Sequence, residues 1–245
     1  MKVETLYRER FADGSQRTRA AMWEVLCQVV LQRYVQPTDT VVDLGAGFCE
    51  FINAVRCGHK IAVDANAEMP RFAAPGVETV VGDIPAVLGR LAAGSAQVVF
   101  CSNFFEHLRD KDAVLAVLGE VSRLLAPGGR LIVLQPNIRY AYKEYWDFFD
   151  HHVPLSHSSL TEALRVTGFE ITLLRPRFLP YTTRSRLPQA AWIVRLYLAL
   201  PPAQWLFGKQ MLVVARKKAV TGAGSVNGKG LQGSRSTLAK RAPVS

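Results

Sequence analysis

The sequence predicts an α/β fold in which helices cover both faces of a parallel sheet. Short apolar segments typical of strands alternate with amphipathic segments typical of helices across the first half of the chain. A glycine-rich turn follows the first of these strands. The chain has 245 residues, of which 49% are hydrophobic and 20% charged, so it is long enough for one large globular domain. Strands that alternate with helices indicate right-handed crossovers and hence a parallel sheet.

The first predicted element is an amphipathic helix at residues 16–34. Its apolar side chains recur at helical spacing and fall on one face, namely Met22, Val25, Leu26, Val29 and Val30. Pro37 and Asp39 mark a turn before the sheet. We therefore interpret residues 1–37 as a helical segment that caps the domain.

Five apolar segments follow that we interpret as strands, at 40–44, 60–63, 77–81, 97–101 and 130–134. Helices are predicted between them, around 50–57, 85–91 and 112–125. Pro127 and Gly128 are expected to end the last of these helices, and Gly129 to open the fifth strand.

The alternation stops after the fifth strand. Residues 136–160 are rich in aromatic residues and histidine and are predicted to form a lid. A helix is expected at 158–167, strands at 168–175 and 208–217, and a loop at 176–188. The simplest organisation is a single domain over 1–215, followed by a tail at 216–245.

The net charge of +10 is concentrated in this tail, which holds seven basic residues and no acidic one. Its glycine, serine and alanine content predicts flexibility. Contact with anionic lipid or RNA remains open, although a solubilising terminus is the simpler interpretation, and nucleic acid is not an expected partner.

The sequence favours a cytoplasmic protein. Its four cysteines show neither a disulfide framework nor zinc-binding spacing, and the N-terminus is too polar for a secretory signal. Residues 187–207 are apolar but are interrupted by Arg195 and two prolines, so they do not predict a membrane span. Trp192, Leu196 and Leu200 would form one face of a short helix there. We expect this face to pack on the domain, with peripheral membrane contact as the alternative.

The turn V41-V-D-L-G-A-G-F-C-E50 predicts a ligand site. Gly45 and Gly47 permit close approach of the backbone to a ligand. Asp64 ends the second strand, where a carboxylate can accept both hydroxyls of a ribose. This pattern suits a nicotinamide dinucleotide and S-adenosylmethionine alike. The third glycine is replaced by Cys49, and Glu50 would repel a pyrophosphate at the helix N-terminus, which argues against the dinucleotide.

Polar residues also follow the third and fourth strands. Asp83 can accept from an adenine amine while Ile84 covers the ring, and Ser102 and Asn103 would lie beside the methionine end. The ordered set D-L-G-A-G, V-D, G-D, S-N-x-x-E-H-L and L-x-P-G-G-x-L resembles the class I S-adenosylmethionine-dependent methyltransferases, in the small-molecule branch.

This resemblance covers residues 38–175 and implies a doubly wound, mostly parallel seven-stranded sheet with an antiparallel last strand and helices on both faces. It implies S-adenosylmethionine as cofactor. The residues expected to bind it are Asp43, Gly45, Ala46, Gly47, Asp64, Ala65, Asp83, Ile84, Ser102 and Asn103. Cys49 departs from the family, which often has glycine there.

Methylation of a hydroxyl requires removal of a proton, and Asp150, His151 and His152 in the lid are the predicted catalytic residues. The aromatic side chains around them would exclude water. The segment YWDFFDHHVPLSHSSL resembles one in bacterial methyltransferases that accompany glycosyltransferases, which implies a saccharide or lipid-linked saccharide acceptor.

Some family members bind a divalent cation with E-x-x-E-H. Here Asn103 replaces the first glutamate, so Glu106 and His107 are too few without help from His151 and His152, and no metal is predicted. Glu106 would then open the following helix.

Two other functions remain open from the sequence. One is an NAD-dependent oxidoreductase, although Tyr140 lacks the lysine partner of a Tyr-x-x-x-Lys pair because Glu144 stands there. The other is a binding module without catalysis, in which the basic tail recruits a nucleic acid or a membrane.

Overall fold

The computed structural model describes residues 16–181 and 190–218. Their strands form one seven-stranded sheet in the order β3-β2-β1-β4-β5-β7-β6. The strands are β1 (Thr40–Leu44), β2 (His59–Asp64), β3 (Val77–Val81), β4 (Ala96–Ser102), β5 (Leu125–Pro136), β6 (Phe169–Leu179) and β7 (Gln210–Lys217). The first five run parallel, whereas β7 is antiparallel to both β5 and β6. The predicted fold class is therefore confirmed.

Helices connect the strands and cover both faces. They are α1 (Gln16–Val29), α2 (Glu50–Ala54), α3 (Ile84–Arg90), α4 (Lys111–Leu124), α5 (Ile138–Tyr145), α6 (His157–Val166), α7 (Ala191–Ala199) and α8 (Pro201–Phe207). The helix predicted at 16–34 ends earlier, and a 3-10 turn at Leu31–Tyr34 continues it. Two buried apolar layers, one against each face of the sheet, form the core.

The strand β5 is longer than the segment predicted at 130–134. This strand begins at Leu125, directly after α4, and includes Pro127, Gly128 and Gly129. Its pairing with β4 is irregular between Ala96 and Val98, so the glycines are accommodated where the register shifts. Pro127 and Gly128 thus lie within the strand instead of ending the helix.

The strand β7 runs past the predicted start of the tail. Arg216 pairs with Arg130 and with Glu170, and Lys217 pairs with Phe169. These two basic residues therefore belong to the sheet. The predicted flexible tail from 219 onward lies outside the described residues, as do residues 182–189 of the predicted loop at 176–188. Residues 176–179 of that loop extend β6.

The helix α7 packs through a different face from the one predicted. Leu198 is buried, and Val194 and Tyr197 pack against the core layer that includes α1. The Tyr197 hydroxyl donates to the carbonyl of Phe178 at 2.8 Å. The expected packing of Trp192, Leu196 and Leu200 is wrong, because these side chains lie on the other side of the helix and are exposed.

The exposed side chains of α7 and α8 form what we call the aromatic surface, each exposed by between 46% and 69%. Its members are Trp192, Leu196, Leu200, Trp205, Leu206 and Phe207. Among the described residues, none of the helices has the length and apolar character needed to cross a membrane.

Candidate functional site

The turn between β1 and α2 has a backbone conformation that favours glycine. Gly45 and Gly47 have φ angles of +72° and +54°. A Cβ atom on Gly45 would lie 2.8 Å from the ring of Phe104. The Gly45 N–H donates to the carbonyl of Val63 at 2.9 Å, which fastens the turn to β2. Larger residues are therefore excluded from position 45 by both conformation and space.

Cys49 occupies the position where the family often has glycine, and it adopts glycine's conformation. Its φ is +59°, and its N–H donates to the carbonyl of Ala46 at 2.7 Å. The side chain is fully buried, and burial, with the nearby charges of Asp43 and Asp64, raises the pKa of the thiol to about 12. The thiol is thus uncharged at neutral pH, and the substitution leaves the shape of the turn intact.

The carboxylate of Asp64 holds the glycine turn in place. One oxygen accepts from the N–H of Gly47 and the other from the N–H of Asn66, both at 2.7 Å. Burial raises the pKa of this carboxyl, although the backbone hydrogen bonds act in the opposite direction. Each carboxylate oxygen has a second lone pair, so the group can also accept from ribose hydroxyls. These remaining acceptor positions are compatible with the two hydroxyls of a ribose.

Asp43 lies beside Asp64 at the same edge of the sheet. It pairs with Ala62 of β2 and Phe100 of β4, and it is almost completely buried. Burial, followed by the charge of Asp64, raises its pKa well above the ordinary value. Asp43 therefore retains a proton more readily than a surface aspartate.

The ten predicted cofactor residues all lie at or just beyond the carboxyl ends of four adjacent strands. Ala65 and Asp83 are exposed, whereas Ala46 and Ile84 are buried. Asn103 has a φ of +47°, and its N–H donates to the carbonyl of Leu134 at 2.9 Å. Since β3, β2, β1 and β4 are neighbours, the structure brings all ten to one edge of the sheet, where α/β proteins bind their ligands.

The negative charge of Glu50, at the start of α2, is partly neutralised by Arg19. Arg19 of α1 contacts Glu50 through its Nε at 3.0 Å, and its guanidinium lies 4.8 Å from the centre of the Phe48 ring. Burial raises the pKa of Glu50, while Arg19 acts to lower it. A charged pair therefore occupies the helix end that would receive a pyrophosphate in a dinucleotide-binding protein.

A cluster of acidic and imidazole groups lies beyond the end of β4. Glu106, His107 and His151 each present one potential metal-ligand atom, and these atoms lie within 4.8 Å of one another. Glu106 and His107 belong to a 3-10 turn, Phe105–His107. We call Glu106, His107, Asp150 and His151 the Glu-His cluster.

Glu106 does not open the following helix, because Asp110 caps α4 by accepting from the N–H of Ala113 at 2.8 Å. The Glu106 side chain is 1% exposed, and burial raises the pKa of its carboxyl to about 7. Neither of its carboxylate oxygens has a hydrogen-bond partner from another residue in the described ranges. Tyr145, whose buried hydroxyl likewise has no partner in those ranges, experiences the charge of Glu106.

The lid segment is attached to this turn through main-chain and side-chain contacts. The carbonyl of Glu106 accepts from the N–H groups of His152 and Val153, at 2.8 and 3.2 Å. The Nδ1 of His107 lies 3.1 Å from both the carbonyl oxygen and Oδ2 of Asp150. Burial acts to lower the pKa of His107, but the Asp150 hydrogen bond and the Glu106 charge raise it overall.

Asp150, expected to orient an adjacent histidine, thus pairs with His107. His151 is buried, with its ring stacked 4.8 Å from the ring of Phe148. The side chain of His152 is exposed, so the structure does not bring it into the cluster. The roles of Asp150, His151 and His152 in catalysis remain predictions.

From the sequence, Glu106 and His107 were expected not to bind a metal, and Glu106 was expected to open the following helix, whereas Asp150 and His151 of the same cluster were predicted to be catalytic. The signal was an E-H pair just after a strand, with a D-H-H segment in the lid. These segments are 43 residues apart at the His107–Asp150 contact. Only the fold shows that they meet.

Comparisons with known proteins agree with this geometry. Residues 42–133 match the family described as a methyltransferase domain. The chain is similar to a S-adenosylmethionine-dependent methyltransferase from Archaeoglobus fulgidus, with 20% identity, a TM-score of 0.63, and coverage of 88% of this chain and 100% of that one. No curated protein matches the chain.

Two further solved structures have the same fold. One is a complex of the Haloferax volcanii methyltransferase activator Trm112 with a methyltransferase, at 19% identity and a TM-score of 0.64, covering 87% of this chain and 98% of that one. The other is a geranyl diphosphate methyltransferase in complex with S-adenosylmethionine, at 18% identity and a TM-score of 0.56, covering 84% and 92%.

These matches distinguish between the two cofactors that the glycine turn left open and select S-adenosylmethionine. They also select an enzyme over a binding module. Over residues 42–133 the chain is similar to the methyltransferase-domain family, and its fold is that of solved S-adenosylmethionine-dependent methyltransferases.

Proposed function

We propose that this enzyme transfers a methyl group from S-adenosylmethionine to a hydroxyl of a saccharide, most specifically of a lipid-linked saccharide. The observation that carries this proposal is the Glu-His cluster beside the candidate cofactor residues, in which Glu106 and His151 are buried and His107 and Asp150 are partly buried. A hydroxyl must lose its proton during methylation, and a buried group of carboxylates and imidazoles can accept or direct that proton.

The candidate cofactor residues divide among the parts of S-adenosylmethionine. Asp64 would accept from the ribose hydroxyls, and Gly45 and Gly47 would let the backbone approach the ligand closely. Asp83 would accept from the adenine amine, with Ile84 against the ring. Ser102, Asn103 and the remaining candidates, Asp43, Ala46 and Ala65, would complete the pocket wall at the carboxyl ends of β1, β2 and β4.

The lid would align the acceptor and exclude water from the site. A sulfonium methyl is already electrophilic, so the enzyme has to align the acceptor oxygen and exclude water. The oxygen forms its bond to the methyl carbon while the carbon–sulfur bond breaks and leaves its electron pair on sulfur. We infer that residues 136–160 cover this step, because the lid main chain is joined to Glu106.

The aromatic surface supports a lipid-linked acceptor. Two tryptophans and a phenylalanine in an exposed patch are typical of surfaces that lie at a membrane interface. Arg177 joins this patch to the lid, because its guanidinium lies 4.7 Å from the Tyr140 ring centre and 5.5 Å from that of Trp205. A membrane-bound acceptor would thus reach the lid from this side.

The acceptor class can be tested with a methyl-labelled cofactor. We expect label to enter a lipid-linked saccharide extracted from membranes, and to be lost when His107 is replaced by glutamine. The matched control is His59→Gln, which changes an exposed histidine near the other end of the sheet. Label found only in protein or nucleic acid would contradict the proposal.

Membrane contact can be measured separately by co-sedimentation of the full chain with vesicles that contain anionic lipid. We expect binding to fall at least tenfold in the double variant Trp192→Ser and Trp205→Ser, because both exposed indole rings would be removed from the interface. Removal of 219–245 tests the contribution of the basic tail without cutting β7.

The matched control is Val166→Ser, since Val166 is also an exposed apolar residue but belongs to α6. Equal binding by wild type, the tryptophan variant and the control would exclude the aromatic surface. Loss of binding only on removal of the tail would assign membrane contact to that segment instead.

A further inference from the structure

We propose that Glu106, His107 and His151 form a binding site for a divalent transition-metal ion. This inference rests on the proposed function and deepens it, because the ion would hold the acceptor hydroxyl. It replaces the expectation from the sequence that no metal is bound.

The first argument is geometric. The three side chains offer two imidazole nitrogens and one carboxylate oxygen within 4.8 Å of one another. Around a tetrahedral ion with bonds of about 2.0–2.1 Å, neighbouring ligand atoms are about 3.3 Å apart. The most widely separated pair of ligand atoms would therefore have to approach by up to about 1.5 Å when an ion binds.

The second argument is the state of the Glu106 carboxylate. It is 1% exposed, and both oxygens are without hydrogen-bond partners from other residues in the described part of the chain. A buried carboxylate in this condition is strongly unfavourable unless a cation compensates it. The charge of His107 nearby compensates it only in part, whereas a divalent ion bound to one of its oxygens would compensate the negative charge.

The third argument is that neighbouring side chains orient the two imidazole rings. Asp150 contacts Nδ1 of His107, which leaves Nε2 of the same ring as the atom available for coordination. Metal-binding histidines commonly donate their second ring N–H to a carboxylate in this way, which orients the ring and raises its basicity. The stacking of Phe148 on His151 similarly restricts the second imidazole.

The ligand set favours a transition metal over magnesium or calcium. Two of the three ligands are imidazoles, which suit Zn²⁺ and its first-row neighbours, while Mg²⁺ and Ca²⁺ require oxygen ligands. Three protein ligands leave a coordination position open, as in catalytic zinc sites. An acceptor hydroxyl in that position would be held near the methyl donor, and its pKa would be lowered.

The site can be tested by titrating the full-length, chelator-treated protein with Zn²⁺ in a calorimeter. We expect one equivalent to bind, and the affinity to fall at least tenfold in each of Glu106→Gln, His107→Gln and His151→Gln. Asp150→Asn is expected to weaken binding about tenfold through the orientation of His107. Co²⁺ should give a visible absorption spectrum that the same variants change, and Mg²⁺ should not compete.

The matched control is His59→Gln, because His59 also lies beside a carboxylate, 3.2 Å from Glu78, but on the surface. It is expected to bind Zn²⁺ like the wild type. Absence of binding by the wild type, or unchanged binding by the double variant Glu106→Gln and His107→Gln, would overturn the site. Methyl transfer by wild type that survives the chelator would also overturn it, while leaving the proposed function standing.

Discussion

Replacing Asp64 by alanine is expected to weaken S-adenosylmethionine binding by at least about 100-fold. The variant loses the acceptor proposed for the ribose hydroxyls, and hydrogen bonds to a charged group contribute about 1.5–3 kcal/mol each. It also removes the acceptors of the Gly47 and Asn66 N–H groups, so the glycine turn loses one of its contacts with the end of β2. Calorimetric titration of the purified variant with S-adenosylmethionine measures the effect.

A matched control separates cofactor binding from stability. Asp39 also accepts from a backbone N–H, that of Gln36 at 2.8 Å, and it is also buried, but it precedes β1 at the opposite edge of the sheet. Asp39→Ala is expected to lower the melting temperature and to leave the cofactor affinity within twofold of wild type. An Asp64→Ala variant that binds the cofactor as tightly as this control would show that the ribose assignment is wrong.

Replacing Glu106 by glutamine is expected to stabilise the metal-free protein at alkaline pH. Folding raises the pKa of this carboxyl from 4.5 to about 7 because the group is buried. A carboxyl with a raised pKa destabilises the folded state as the pH rises through this range, and the effect is complete above it. This difference in pKa corresponds to roughly 3 kcal/mol of free energy of unfolding. Glutamine has the same shape but cannot ionise.

Urea unfolding in the presence of a chelator measures this effect. At about pH 8 the variant should have the larger free energy of unfolding, and near pH 4 the two proteins should be similar, since the carboxyl is then protonated in both states. Glu162→Gln, at an exposed position of α6, is the control and is expected to change stability by less than about 0.5 kcal/mol. If the variant were less stable than wild type at both pH values, the negative charge of the Glu106 carboxylate would have to be balanced by other groups in the folded protein.

The two variants are expected to affect stability differently, because the Glu106 carboxylate lowers the stability of the metal-free protein at alkaline pH, whereas Asp64 accepts two backbone hydrogen bonds. Strained or uncompensated groups persist at functional sites because the surrounding structure holds them there. Glu106 meets this description in the metal-free protein, whereas Asp64 does not, because two backbone donors satisfy it.

Local patterns in the sequence were sufficient for an α/β fold with a parallel sheet and for the edge of the sheet where the candidate cofactor residues lie, whereas the antiparallel last strand was expected from the resemblance. Strand positions follow from the spacing of apolar residues, and β1 and β3 have the predicted bounds. The glycine turn follows from the conformational freedom of Gly45 and Gly47. The polar residues after β1, β2, β3 and β4 needed only the rule that the carboxyl ends of parallel strands share one edge.

Other features were decided by contacts between residues far apart in the chain. The helical spacing of Trp192, Leu196 and Leu200 defines an apolar face, but not whether that face is the one covered, because Leu198 and Tyr197 on the other side of α7 pack instead. The contact between Asp150 and His107 likewise depends on the packing of the lid against the turn that follows β4.

The sequence by itself therefore determined the positions of the strands along the chain, the turn after β1 and the identity of the polar residues at the strand ends, since each depends on neighbours within a few positions. Only the tertiary structure decided that Glu106 and His107 meet His151 and that the aromatic surface is exposed. Both results depend on how segments pack across long chain separations, and such packing is set by the shape of the whole core and not by any local pattern.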